Sequence, residues 1–241
     1  GMETLLSLQK KIDPLIADIG DKHPENPYAD TRVYLIIDDA RAFLERSEEQ
    51  YDAIVFGFLD SHRLFSSMSS VRLENYLYTV ENINRVRSML KPDGVLAITY
   101  TVHEQWIADR IFNLLRVTFG HSPLVYQGDQ NSWGTVFLVS PSRTLEGDGA
   151  LILREEFDES ILPYGNGYSW AYAEKSGFLS EEIFSASAVL PTDDWPHLFL
   201  KEPGLPGNYI AIIVLVFVIV LALVIFQIPS LAFQSSGYWI F

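Results

Sequence analysis

The chain has no cysteine, so disulfides, thiolate metal sites and a cysteine nucleophile are all excluded. Positive charge is scarce: 17 lysines and arginines face 31 acids, a formal net charge of −14. Nucleic acid is therefore not an expected partner, because a phosphate backbone needs a basic face. The same imbalance is compatible with a small cationic ligand, although a solvated acidic surface is the simpler account. No cluster of ligating residues stands out in the sequence, and no metal is expected.

Three apolar runs are present, at 33–37, 53–58 and 95–100, rich in β-branched and aromatic residues. Near-continuous runs of this kind are expected of parallel strands covered by helices on both faces. The segments between them have helical spacing, so the centre of the chain reads β-α-β-α-β. Acids stand where the first two strands end: Asp38 and Asp39, then Asp60. Ligands of open α/β sheets bind beyond the carboxyl ends of the strands, which makes these acids the first site candidates.

Read in order, the chain opens with an amphipathic helix from Asp13 to about His23, with Asp13 as N-cap and Pro14 in the first turn. A strand over 32–37 and a short helix ending near Arg46 follow, then a strand over 51–58. Residues 61–70 form a serine-rich loop in a position suited to a lid. A single helix is expected over 71–90, with Leu73, Leu77, Val80, Ile83, Val86 and Leu90 on one face. Lys91, Pro92, Asp93 and Gly94 then make a turn. A second amphipathic helix spans 104–119 and ends at Gly120. Strands over 124–127 and 135–140 are close enough in sequence to pair antiparallel. Residues 147–202 read as an irregular extension. Residues 209–226 carry no charge. At a rise of 1.5 Å per residue they reach about 27 Å, near the ~30 Å of a bilayer core. A membrane helix is expected there, and Lys201 as the last basic residue places the preceding part in the cytoplasm. The expected organisation is a core over 1–145, an extension over 146–208, and a membrane helix with an apolar tail over 209–241.

These residues also form a pattern. Ile12, Asp13 and Pro14; Pro27 and Tyr28; Asp39, Ala40 and Arg41 with Phe43 and Leu44; Tyr51, Asp52, Ala53 and Ile54; Asp60; and the run 90–94 together resemble the spermidine synthase family. The segment Thr192, Asp193, Asp194, Trp195 and Pro196, followed by a short proline-containing linker and an apolar run, looks like the membrane-fused bacterial members. The resemblance implies an α/β, Rossmann-like S-adenosylmethionine-dependent methyltransferase core, with a parallel sheet closed by an antiparallel pair. It also implies that S-adenosylmethionine or its decarboxylated form is the donor and a small amine the acceptor, with a homodimer among the expected assemblies. The family pattern begins earlier than this sequence does: its glycine-rich turn and N-terminal substrate hairpin would lie before Ile12.

By the same resemblance, Asp39 would accept a hydrogen bond from the adenine amino group and Ala40 would offer a backbone contact, with Asp38 beside them. Asp13 would face the ribose. Asp60 would be the catalytic carboxylate that holds the amine. Two positions depart from the family. Lys11 stands where an acid would bind the ribose hydroxyls, and Gly57 stands where an acid would deprotonate the amine. A helix N-cap is the structural alternative for Asp13 and for Asp38 or Asp39. His62 could substitute as the base on pKa grounds, with a solvated loop histidine as its structural alternative. Two other readings stay open: a methyltransferase-like domain, with 61–70 and Asp193, Asp194 and Trp195 lining its acceptor pocket, and a non-catalytic domain of a transporter-like membrane protein.

Overall fold

The computed structural model describes residues 19–20, 22–24, 33–34, 36, 38–57, 73–102, 104–128, 134–148, 151–152, 177–204 and 207–232. It divides into two compact units, 1–201 and 202–241. In the first unit the elements are α1 (Ala40–Arg46), β1 (Tyr51–Gly57), a 3-10 helix (Leu73–Tyr78), α2 (Val80–Met89), β2 (Leu90–Tyr100), α3 (Gln105–Phe119), β3 (Leu124–Gln127), β4 (Thr135–Val139), β5 (Leu151–Ile152) and β6 (Gly177–Leu179). The second unit holds α4 (Gly207–Ala232).

The described strands form one sheet in the order β1-β2-β4-β3-β6-β5. β1 and β2 are parallel and joined through α2. β4 lies antiparallel between β2 and β3, so β3 runs the same way as β2. The reversal follows from the connections. β1 to β2 has a helix to make the crossover, whereas only seven residues separate β3 from β4. β2 alternates strictly: Leu96, Ile98 and Tyr100 are buried, whereas Val95, Ala97 and Thr99 are half-covered. The closely packed face carries the core, together with Ile83 and Val86 of α2 and Ile111, Leu114 and Leu115 of α3.

Several sequence expectations change here. Burial on both faces does not hold for β1, where Ile54 and Phe56 are buried but Val55 is 59% exposed. Its only ladder partner among the described residues is β2, so it stands at the edge of the described sheet. The strand expected over 32–37 is not formed at Val33, Tyr34 and Ile36, which lie in irregular backbone without a described sheet partner. The single helix over 71–90 is two elements. Thr79 sits between them with extended backbone, and its hydroxyl accepts the Asn82 N–H, an N-cap that restarts the helix. The turn at 91–94 lies inside β2: pairing jumps from Tyr51 opposite Leu90 to Ala53 opposite Val95, so the extra residues bow out of the ladder. Gly94 permits this because a Cβ there would sit 2.9 Å from the Tyr51 carbonyl oxygen.

The extension is less irregular than its composition implies, since β6 pairs with β3 and β5 with β6. Strands of two and three residues are too short to show period-two patterning. The expectations for α1, for α3 with its left-handed Gly120 cap, and for the β3–β4 pair all hold.

Candidate functional site

The carboxyl ends of β1, β2 and β3 lie on one rim of the sheet. β1 ends at Gly57, where an added Cβ would meet none of the described residues within 4 Å. β2 ends at Tyr100, opposite Thr135 of β4. Thr101 follows, and its hydroxyl is buried without a hydrogen-bond partner among the described residues. At the adjoining position on the rim, Gln127 at the end of β3 accepts a hydrogen bond from the Thr135 hydroxyl at 2.6 Å, and both side chains are buried.

Asp38, Asp39 and Ala40 lead into α1. Asp38 is engaged through both carboxylate oxygens: one takes the Asp39 N–H at 2.9 Å, and the other pairs with Arg46. Asp39 is the N-cap of α1, its Oδ1 accepting the Ala42 N–H at 3.0 Å. The helix-cap alternative is therefore realised at Asp39, and the residue remains exposed. Ala40 is buried against the core. Asp13, Asp60, Lys11, His62 and the serine-rich loop over 61–70 lie outside the described residues, and so does any geometry linking Asp39 to Asp60. Among the described residues, no group of His, Asp and Glu could hold a metal ion.

Two arginines organise the surroundings. Arg41, two residues beyond Asp39, sends Nη1 to the Tyr76 carbonyl at 3.0 Å and the Thr79 hydroxyl at 3.1 Å. Its fork grips Asp193 at 3.3 and 2.8 Å, and Nε faces Glu45 at 3.1 Å. The Thr79 hydroxyl donates to the same Asp193 carboxylate at 2.7 Å. The Asp193 N–H donates to Glu81 at 3.0 Å, and the Val80 N–H donates to the Pro191 carbonyl at 2.9 Å. Asp193, expected to line an acceptor pocket, thus has its carboxylate committed to a latch.

Arg110 on α3 is 1% exposed. It donates to the carbonyls of Val189, His197, Leu198, Leu200 and Lys201 at 2.6–3.1 Å. Its guanidinium lies over the rings of Trp106 and Trp195, at 4.9 and 5.2 Å from the centroids. Burial pulls its pKa down to about 10. At neutral pH it is still charged. Gln105 and Asn113 bind the carbonyls of Ile183 and Ser185, and Asp109 takes the Ser185 N–H. The polar face of α3 is therefore covered by a strap over 183–201 rather than by water. The apolar face of α3 is legible in the spacing of its sequence. The i, i+4 row of Gln105, Asp109 and Asn113 was the available signal for the other face.

A parallel pair joined by a helix, with one reversed strand inserted beside it and ligand candidates at the strand ends, defines a Rossmann-like fold of the methyltransferase type. Residues 9–123 match the family model described as the spermine/spermidine synthase domain. Over 151 residues the chain is 30% identical to a polyamine aminopropyltransferase of Korarchaeum cryptofilum, covering 58% of this chain and 44% of that protein. The chain thus spans under half the length of this curated relative. Among solved structures, a spermidine synthase from Thermotoga maritima is 16% identical with a TM-score of 0.45, over 68% of this chain and 52% of that one. Human methyltransferase-like protein 13, in complex with SAH, is 18% identical with a TM-score of 0.45, over 56% and 61% of the two chains.

Proposed function

We propose that this chain is part of a membrane-anchored, spermidine synthase-like transferase that takes S-adenosylmethionine or its decarboxylated form as donor and a small amine as acceptor. The observation that carries this reading is the turn at Asp39, inside the stretch that matches the family. One oxygen of its carboxylate is fixed by the Ala42 N–H while the residue stays exposed. A carboxylate held in this way can accept the amino group of an adenine in a charge-assisted bond. Asp38 has both oxygens engaged and would steady the turn, with Ala40 flooring it. Asp13 would face the ribose and Asp60 the amine. The Thr101 hydroxyl, buried at the end of β2, gives a rim ligand a further polar partner.

In such a transfer the amine nitrogen attacks a carbon bonded to the sulfonium, the carbon–sulfur bond breaks, and the nitrogen gives up a proton. That proton needs an acceptor. Gly57 supplies none, and this favours a second reading in which the domain binds a nucleoside but does not transfer.

The membrane part of the proposal rests on α4. Its 26 residues, at 1.5 Å each, give about 39 Å of helix, more than the ~30 Å bilayer core. Its described side chains from Ile210 to Val224 are apolar, and nearly all are exposed. Those described positions taken alone are fewer than a span needs, and among the described residues no helix is long and apolar enough to cross a membrane. The helical backbone continues to Ala232 through a sequence that carries no charge and whose polar side chains are Gln227 and Ser230. With Lys201 as the last basic residue, the first unit would face the cytoplasm.

Titration calorimetry of the purified chain with decarboxylated S-adenosylmethionine and with S-adenosylmethionine tests the reading. Binding of either, weakened about tenfold by Asp39→Asn, is expected, on the scale of one charge-assisted hydrogen bond. An Asp39→Asn variant with wild-type affinity would remove the turn from the site. Binding of both nucleotides without turnover of any diamine would favour the non-catalytic reading.

A further inference from the structure

The latch at Asp193 sits beside the donor turn but takes no part in the binding proposed above. Arg41 is the second residue of α1 and follows directly on Asp39 and Ala40. Its guanidinium joins four elements: α1 itself, the 3-10 helix through the Tyr76 carbonyl, the start of α2 through Thr79, and the strap through Asp193. Thr79 is fully buried, with one oxygen that caps α2, accepts from Arg41 and donates to Asp193. Asp193 is the only one of these partners that lies far along the chain. It is half-covered, and its own N–H is held by Glu81.

An Arg–carboxylate fork has fixed planar geometry, so it sets the orientation of α1's first turn as well as its distance. α1 has only seven residues, which is too short to be stable by itself. Its start therefore takes its position from what grips it.

We propose that Asp193 is a positioning residue for the donor nucleotide: through Arg41 it holds the Asp39–Ala42 turn in the geometry that binds adenine. The inference rests on the donor site proposed above. The strap that carries Asp193 is in turn clasped by Arg110, so the binding turn is secured by a segment 152 residues away in sequence.

Two measurements on the purified full chain separate this inference from the functional reading. The first is amide hydrogen exchange without ligand. Asp193→Asn, which gives up the charged fork, is expected to speed exchange at the amides of Ala42 and Phe43, and Asp193→Glu to restore most of the protection. Unchanged exchange there would overturn the proposal whatever the chain binds. The second is calorimetry with decarboxylated S-adenosylmethionine, well below the unfolding temperature. Asp193→Asn should weaken binding by about tenfold, the loss expected for one charge-assisted contact, while Asp193→Glu stays within a few-fold of wild type. Wild-type affinity in Asp193→Asn would refute the positioning role and leave the donor site standing. No binding by the wild type would bring down the donor site and the nucleotide part of this inference together, with exchange still deciding whether the latch holds the turn. Should Asp193→Asn not fold, Arg41→Lys keeps the charge, removes the fork, and carries the same two tests.

Discussion

Arg110 has an unusual task for a buried charge: it faces no described carboxylate and is satisfied by five backbone carbonyls and two indole rings. Removing it would leave several of those carbonyls without a donor. Arg110→Ala should therefore destabilise the first unit by about 3–5 kcal/mol, the range for breaking a buried charged network, read from the urea midpoint. Arg110→Lys should recover little, because an ammonium group has three donors and no planar face for the rings. Tyr51 makes a second prediction at this scale. Its pKa is raised above 10, chiefly by burial, with the Ser47 hydroxyl 3.0 Å from its own. A phenol whose folded pKa is raised adds stability below pH 10 and loses it as pH climbs through the folded value. Stability of the wild type should decline on that limb, and Tyr51→Phe should flatten the decline, as followed by thermal unfolding at several alkaline pH values.

Among the elements, the β1–β2 pair depends on one close approach. Gly94 lies 2.9–3.2 Å, measured from an added Cβ, from the carbonyls of Tyr51, Lys91 and Asp52. Gly94→Ala must push backbone aside and should cost about 1–3 kcal/mol by the overpacking range, measured by chemical denaturation. How legible the elements were follows from similar local causes. α1, α3 and the β3–β4 hairpin carry their own start and stop signals, namely Asp39, Gly120 and a short connection, and they appear where the pattern places them. The break at Thr79 was hidden because the apolar spacing runs straight through it, while the decision is made by one hydroxyl and the Asn82 N–H. β6 joins the sheet through hydrogen bonds to β3, and β5 through hydrogen bonds to β6, which no local pattern announces. The site was partly legible for a related reason. Asp39 was found from its place after an apolar run, whereas Arg41, Thr79 and Asp193 meet only through tertiary contacts separated by up to 152 residues.

For the molecule as a whole, the two units have opposite solvent preferences. The first buries its apolar residues in one cluster, while α4 exposes Ile212, Ile213, Val216, Phe217 and Val220. If α4 is seated in a bilayer, the full chain should float with liposomes on a density gradient and resist alkaline extraction. A chain ending at Lys201 should remain in the aqueous fraction with its unfolding midpoint intact. A full chain extracted as readily as the shortened one would rule out the anchor.

The reversed strand has one more effect. Where β4 stands beside β2, Thr135 and Gln127 bond to each other at the rim and close that end of the sheet with matched polar groups. On the opposite flank, an added Cβ at Gly57 would meet none of the described residues within 4 Å. Among the described residues, a molecule resting on this rim would meet a wall at Thr135 and Gln127 and a bare backbone position at Gly57. If the rim holds the acceptor proposed above, a side chain introduced at position 57 would face it from the β1 side.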